Sequence, residues 1–588
     1  MIVTCQKCGA HNRVTDSIEP GKRYVCGKCK TSLIDVSQTP KTRKQESATP
    51  QTTTAGNNKK PTIVGSVFKK LSWVHPLLFA LFPVLYLYSR NLAEVSPSQT
   101  VSSLLVSVGF GILIFLLFLL VIAGIQKLRM RSATDIRHEI WAVEKVAIIT
   151  SVFLILFFNY GDALAISGLD WVGLAITWIL LFLFVALLVV RTNRPLQNVR
   201  GFLTAVGIIL VIIPTINIIE HEVRFGGHDI VTSEATGNEN PVVMANETLP
   251  DIYYIIPDRY GSETSLEKDF QFDNSDFIDY LTNKGFYVAT NSHSNYSRTF
   301  ASLASSLNME YINYLTEQLG ENFGYNYPMW QLIQDNKVQS FLKARGYKFI
   351  NLGDEWDGTW WNANADVNYN LYVQPEFPTL LFRKTLAYPF CWKLGIVEDD
   401  RTMHMKNTMY LFDKLAEIPK IEEPTFTFAH LRLPHDPYVF NSDGSYKTLQ
   451  EEQQSSYRDN YVEQLEFANS KLESLVDTLL TDSRVPPIII IQADEGPFPV
   501  SEPWLGEKAT KAGLEIKMGI LNAYYLPGVD KDALYPSITP VNSFRLVFNL
   551  YFDAGFGLLD DKSYAYDEGY PEKFVYRFLD VTDKLKQN

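Results

Sequence analysis

The chain has 588 residues, of which 46 % are hydrophobic, and a formal net charge of −12 at pH 7. That balance argues against nucleic acid as a partner, since a phosphate backbone is met by a basic surface. Four of the five cysteines fall within the first 35 residues and the fifth, Cys391, stands alone among aromatics, so disulfides are not what stabilises the rest of the chain.

At the start, Cys5-Gln6-Lys7-Cys8 and Cys26-Gly27-Lys28-Cys29 bracket residues 9–25, the spacing of a four-cysteine zinc ribbon. Two knuckles that each place two thiolates about 2.3 Å from one Zn²⁺ stabilise a module too small to bury a core. Residues 1–35 are expected to be this ribbon. Disulfides or a redox pair are the alternative, disfavoured where a cytosolic setting keeps thiols reduced. The Ser/Thr/Lys-rich stretch 36–62 reads as a flexible linker that lets the ribbon reach a protein partner the sequence does not name.

Residues 63–221 are expected to be a transmembrane region. Apolar segments at 74–89, 101–125, 142–158, 171–190 and 202–219 approach the ~20 residues that cross a bilayer, and no cleavable signal peptide is expected ahead of them. The first is the shortest and contains Pro83. Lys127, Arg129, Arg131 and Arg137 in one loop, and Arg191, Arg194 and Arg200 in another, predict that those loops are cytoplasmic. The expected localisation is a multi-pass cell-membrane protein with a cytoplasmic N-terminus and an extracytoplasmic C-terminal domain.

Residues 222–588 alternate strand-like and helix-like stretches, which predicts a layered α/β domain. Strands are expected at 252–256, 286–289, 347–352, 425–430 and 488–492, and helices at 270–284, 329–346 and 457–480. The first and last strands end in carboxylates, YYIIPD with Asp258 and IIIIQADE with Asp494 and Glu495. Buried strands that deliver acidic side chains at their carboxyl ends are how open α/β sheets build anion and metal sites. Between them lie a hydroxyl-rich segment, SHSNYSRTFASLASS at 292–306, and two histidines, His430 and His435, in HLRLPHDPY.

These motifs resemble the alkaline phosphatase and sulfatase superfamily, in particular its membrane-anchored branch with lipoteichoic acid synthases and phosphoethanolamine transferases. The resemblance implies an alkaline-phosphatase-like domain with a central mixed sheet flanked by helices. It implies that Asp258 in IIPDRYGS, Thr299 in SRTFASLAS, His435 in LPHDPY and Asp494 in IQADEGP form the site. The family has His after the last Asp; this chain has Glu495. With Asp258, Thr299, Asp494 and Glu495 as metal ligands the first shell is all oxygen, which suits Mn²⁺ or Mg²⁺ better than Zn²⁺. His430, Arg298 and Arg432 are expected at the substrate, Arg259 is a further candidate cation, and guanidinium geometry suits phosphate or sulfate oxygens.

The reaction so implied is hydrolysis or transfer of an anionic phosphate or sulfate ester, lipid-linked or glycan, through a covalent Thr299 ester, with His435 assisting the leaving group. Ser294 and Ser297 stay open as nucleophiles, since SNYSR at 294–298 is also similar to a formylglycine signature. The cluster Trp356, Trp360 and Trp361 suits either core packing or stacking on a sugar. A reading from another class is a noncatalytic outer binding domain coupled through the spans to the zinc ribbon as a sensor.

Overall fold

The computed structural model describes four short strands before residue 35, residues 74–225 apart from 93–94, 96 and 130–135, and residues 249–586 apart from 322, 324–325, 355, 357, 373–375 and 567–575. Residues 1–64 and 65–588 are separate compact units. In the first unit, β1 (Ile2–Thr4) pairs antiparallel with β2 (His11–Arg13), and β3 (Tyr24–Val25) with β4 (Ser32–Ile34). The ribbon cysteines Cys5, Cys8, Cys26 and Cys29 lie outside the described residues.

Apolar helices occupy the expected positions: α1 (His75–Arg90), α2 (Pro97–Arg129), α3 (Ile136–Phe158) with α4 (Tyr160–Ser167), α5 (Trp171–Arg191) and α6 (Gln197–Phe225). Among the described residues α2, α5 and α6 contain stretches long and apolar enough to cross a membrane, and α3 with α4, bent by 53°, makes a fourth if the pair is one span. The chain is a multi-pass membrane protein. The expected count of five is not reached because α1, with 16 residues, rises only about 24 Å against a hydrocarbon core of about 30 Å. His75 Nδ1 lies 2.6 Å from Ser151 Oγ, partway along α3, so α1 starts inside the bundle rather than at its edge.

The two ends of the bundle differ. At one end Lys145 donates to the Val190 and Thr192 carbonyls (2.8 and 3.0 Å), and Arg200 pairs with Glu144 at 3.0 Å. This is the end of the Arg191, Arg194 and Arg200 loop. At the other end Tyr88, Phe157, Gly161 and Trp171 meet the large domain.

The large domain is built on a seven-stranded mixed sheet. Its members are β5 (Ile252–Pro257), β6 (Tyr287–Val288), β7 (Lys348–Leu352), β8 (Val367–Tyr369), β9 (Thr425–Leu431), β10 (Ile488–Gln492) and β11 (Asn522–Tyr525), in the order β6-β11-β10-β5-β9-β7-β8. The five strands from β10 to β8 run parallel, whereas β11 is antiparallel to both its neighbours, β10 and β6. Every residue of β5, β9 and β10 is buried. Alternate β5 side chains enter two cores, Ile252, Tyr254 and Ile256 on one face and Tyr253 and Ile255 on the other. This is the signature of a parallel strand covered on both sides.

Helices that carry the site or attach the domain are α7 (Thr299–Asn308), α8 (Glu376–Arg383), α9 (Ala387–Lys393), α10 (Asp400–Glu417), α11 (Tyr457–Asp482) and α12 (Lys511–Met518). The helix expected over 329–346 is two, Tyr327–Gln334 and Lys337–Lys343. Asn336 breaks the run by leaving helical geometry (φ −117°, ψ 156°) and caps the second piece by accepting from the Gln339 N–H. The expected helix at 270–284 shortens to Ser275–Asn283.

Candidate active site

Parallel neighbours bring distant residues together at one edge of the sheet. The register pairs Ile491 with Ile255 and Ile256 with His430, so the residues that follow β5, β9 and β10 emerge side by side. The Asp258 N–H donates to the Leu431 carbonyl (2.9 Å), one step beyond the last strand pair. The chain then turns through Arg259 in the left-handed region (φ 62°), where the Arg259 carbonyl and the Gly261 N–H both bond the Tyr461 hydroxyl on α11. After β10 the turn through Gly496 is equally tight. A Cβ there would lie 2.3 Å from the Ile516 carbonyl oxygen and 2.7 Å from that of Gly519, so only glycine fits.

Asp258, His430 and Asp494 each offer one ligand atom, and the three atoms lie within 4.8 Å of one another, all buried. His430 Nε2 is 3.7 Å from Asp258 Oδ2, while its Nδ1 lies 3.0 Å from Thr359 Oγ1, which orients the ring. Asp258 Oδ1, Asp494 Oδ2 and His430 Nε2 have no hydrogen-bond partner. Buried polar atoms left unpaired are costly. Burial, and then the Asp494 charge, push the Asp258 carboxyl well above its usual range. Burial, and then Glu495, raise Asp494 to about 6. Burial lowers His430 to about 4. Two crowded carboxylates and an imidazole with orphaned, converging lone pairs fit a divalent cation.

Thr299 is the first residue of α7, and its hydroxyl lies near enough to the Asp494 carboxylate to oppose the upward push of burial and Glu495 on that carboxyl. Ser302, one turn on, donates to the Asp494 carbonyl at 2.6 Å, which fixes the helix end against the strand end. Of the other two hydroxyls, Ser297 accepts from the Tyr566 N–H (3.3 Å) and Ser294 is buried.

Glu495 lies outside the group of three. Its Oε1 is 2.7 Å from Lys517 Nζ and 3.3 Å from Arg259 Nε, and all three side chains are buried or nearly so. Burial raises the Glu495 carboxyl, but Lys517, Arg259 and Arg298 outweigh that and hold it below its usual range; burial lowers Lys517 to about 8. Phe498 and Trp504, stacked at 5.5 Å, cover these cations. Arg259 lies 4.1 Å and Lys517 4.4 Å from the Phe498 ring centre, and Arg298 lies 5.0 Å from that of Trp504. Arg298 is the N-cap of α7, next to Thr299.

His435 Nε2 stands 4.0 Å from Asp258 Oδ2, and its Nδ1 faces Asp436. Burial, then Arg259 and Arg432, hold its ring well below the usual histidine range. Arg432 Nε lies 3.6 Å from Asp354 Oδ2, and the same oxygen is 3.2 Å from His404 Nδ1 on α10. The Trp356 ring approaches His430 at 5.7 Å. His430, expected at the substrate, therefore stands among the candidate ligands, and Glu495, expected as a ligand, bonds Lys517 and Arg259 through Oε1 while its buried Oε2 has no hydrogen-bond partner. Lys517, Asp354, His404 and Thr359 were not singled out by sequence. Lys517 in KAGLEIKMG reads as one more solvated helix lysine, and only its burial marks it.

Residues 252–544 match the family model described as Sulfatase. That match covers the mixed sheet and the cluster at the carboxyl edge of its parallel strands. The large domain of this chain belongs to the sulfatase family. Similar solved structures include the C-terminal periplasmic domain of EcEptC from Escherichia coli in complex with Zn (12 % identity, TM-score 0.39, covering 60 % of this chain and 98 % of that one). They also include lipooligosaccharide phosphoethanolamine transferase A from Neisseria meningitidis (12 %, TM-score 0.35, 84 % and 96 %) and the putative sulfatase yidJ from Bacteroides fragilis (12 %, TM-score 0.31, 58 % and 80 %). No curated protein matches the chain.

Proposed function

We propose that this chain is a membrane-anchored, metal-dependent enzyme that transfers or hydrolyses phosphate or sulfate esters through a covalent Thr299 intermediate. The observation that carries the reading is the cluster of buried, unpaired atoms of Asp258, Asp494 and His430 at the end of α7 where Thr299 stands near Asp494. Those three residues, with Thr299, would hold one divalent cation. Bound there, the cation would supply charge neutralisation and a lowered hydroxyl pKa. An imidazole among the donors moves the expectation from Mg²⁺ toward Mn²⁺ or Zn²⁺.

The Thr299 oxygen attacks as its proton passes to Asp494 beside it; the bond to the leaving group breaks as the Thr299 ester forms, and the leaving oxygen takes up a proton. Arg298 and Arg432 flank the reacting group and offer donors to its oxygens. His435, part-exposed and neutral, is placed to handle the proton of the leaving alcohol and then of the acceptor. Water as acceptor makes a hydrolase; a lipid or sugar hydroxyl makes a transferase.

Lipid-linked envelope esters are the preferred substrate class, because the site and the membrane-contacting helices α8 and α9 follow the same carboxyl edge of parallel strands. The basic loop with Arg191, Arg194 and Arg200 lies at the far end of the bundle, which supports an extracytoplasmic large domain; a cytoplasmic N-terminus requires in addition that α1 complete a fifth crossing. Protease protection on inside-out vesicles checks that orientation. Rapid quench of the full chain with p-nitrophenyl phosphate or p-nitrophenyl sulfate, followed by peptide mass spectrometry, tests the mechanism: an ester on Thr299 supports it. Turnover with the ester on another residue, or no turnover with any divalent metal, contradicts it.

A further inference from the structure

The segment that joins β8 to α10 attaches the large domain to the membrane helices. Phe377 and Leu381 of α8 pack with Val84, Leu87 and Tyr88 at the end of α1 and with Val95 in the loop that follows it. The Leu386 N–H donates to the Phe157 carbonyl at the end of α3 (2.8 Å), and the Gly161 N–H donates to the Lys384 carbonyl (2.9 Å). The approach at Gly161 is close enough that a Cβ there would lie 2.8 Å from the Lys384 Cα. Lys384 pairs with Asp162, and Phe390 of α9 meets Trp171 edge-on at 5.6 Å.

Trp171 is the first residue of a helix that qualifies as a membrane span, so it marks the edge of the hydrocarbon layer. Whatever lies level with it sits in the interfacial zone. From this level the chain runs on through Phe390, Trp392, Leu394 and Ile396, which are 40, 41, 74 and 67 % exposed. Ile166 and Leu169, in the helix α4 and the turn that lead to Trp171, are exposed too. Elsewhere in the large domain the exposed large apolar side chains among the described residues are scattered, as at Leu449, Val500 and Leu550. A run of aromatic and aliphatic side chains with a lysine, Lys393, able to snorkel is costly in water and favourable at a bilayer interface.

We propose that residues 390–396 are seated in the head-group layer of the leaflet that Trp171 borders, with Trp392, Leu394 and Ile396 inserted among the lipids. The partner is a lipid surface, and the occupant follows from continuity of this segment with the ends of the spans. The seat holds the carboxyl edge of the sheet toward the bilayer. It depends on the membrane assignment of α5 and not on the catalytic reading, so either can fail without the other.

The test is photocrosslinking of the full chain in phosphatidylcholine–phosphatidylglycerol nanodiscs, with p-benzoylphenylalanine at Leu394 or Ile396. These side chains are mostly exposed, so the substitutions leave packing intact. The control is Leu550, at the opposite edge of the sheet, two residues from Phe552, whose ring meets Tyr347 just before β7. Lipid adducts at 394 and 396, with none above background at 550, are expected. Adducts to protein in place of lipid, or lipid adducts no more frequent than at 550, overturn the proposal.

Discussion

Asp494 and Glu495 are neighbours in the chain, yet the two halves of the site they belong to treat negative charge in opposite ways. On the Asp494 side, Asp258 and His430 converge with it and leave lone pairs unsatisfied; burial raises both carboxyls, and the Asp494 charge adds to this at Asp258 and the Glu495 charge at Asp494. On the Glu495 side, Lys517 and Arg259 contact the carboxylate and Arg298 adds its charge, so it is held ionised. Among the described residues the first half brings no cationic side chain into contact with Asp494, whereas the second brings Lys517 and Arg259 onto Glu495 Oε1 and leaves only its Oε2 unpaired. A single shift along the chain separates a place for a metal from a place for an anion.

Breaking the first half is expected to have the largest effect. Thr299→Ala should lower turnover of a p-nitrophenyl ester by about 10⁴-fold or more while leaving the fold intact, because Thr299 is the hydroxyl of that segment whose proximity acts on the Asp494 carboxylate. Steady-state kinetics with circular dichroism of the same sample checks both parts.

Breaking the second half is expected to act on stability. Lys517→Met leaves Glu495 buried with only Arg259 in contact, and removing one partner of a buried pair costs about 3–5 kcal/mol. The double change Lys517→Met with Glu495→Met should recover most of that loss in chemical denaturation, since two well-packed apolar groups replace two desolvated charges. Additive losses in this cycle would refute a direct pair.

The halves are told apart by metal content. Asp494→Asn should abolish stoichiometric Mn²⁺ or Zn²⁺ in purified protein, whereas Glu495→Gln should retain it; inductively coupled plasma mass spectrometry reads the difference. The smallest effect is that of pH. With Asp494 at about 6 in the metal-free site, protons compete with the cation, so affinity should fall by roughly tenfold per pH unit below about 6 for one proton displaced. Calorimetric titration of the metal at pH 5, 6 and 7 measures this slope. The same raised carboxyl stabilises the metal-free fold fully below its ordinary value of 3.8 and ceases to do so as pH rises through about 6. Glu495, depressed from 4.5, has the opposite sign: its contribution is present above 4.5 and is lost as pH falls through its lowered value.

The strands that carry this site were legible because short buried apolar runs announce themselves: 488–492 agrees with β10 at both ends, and 252–256 and 425–430 are each one residue short of β5 and β9. The acidic residues at their ends were legible for the same reason. The short strands β8, at one edge, and β11, next to the other edge, were missed, since VNY and NAYY carry little pattern of their own and owe their conformation to neighbouring strands. Roles that depend on which side chain faces which could not be read. His430 lies inside β9, so its period-2 position is visible, but its distance to Asp258 follows from register across two strands. Lys517 stands next to Glu495 only because α12 returns beside the turn at Gly496, whose N–H donates to the Lys517 carbonyl at 2.8 Å.

The central claim is that one divalent cation sits among Asp258, His430 and Asp494, beside Thr299 and apart from Glu495. Anomalous X-ray scattering from crystals of the full chain grown with Mn²⁺ tests it most directly. The account predicts a single peak within coordinating distance of Asp258, His430, Asp494 and the Thr299 hydroxyl, with Glu495 still bonded to Lys517. A peak bound by Glu495 in place of His430, or none in that group at saturating Mn²⁺, would contradict it.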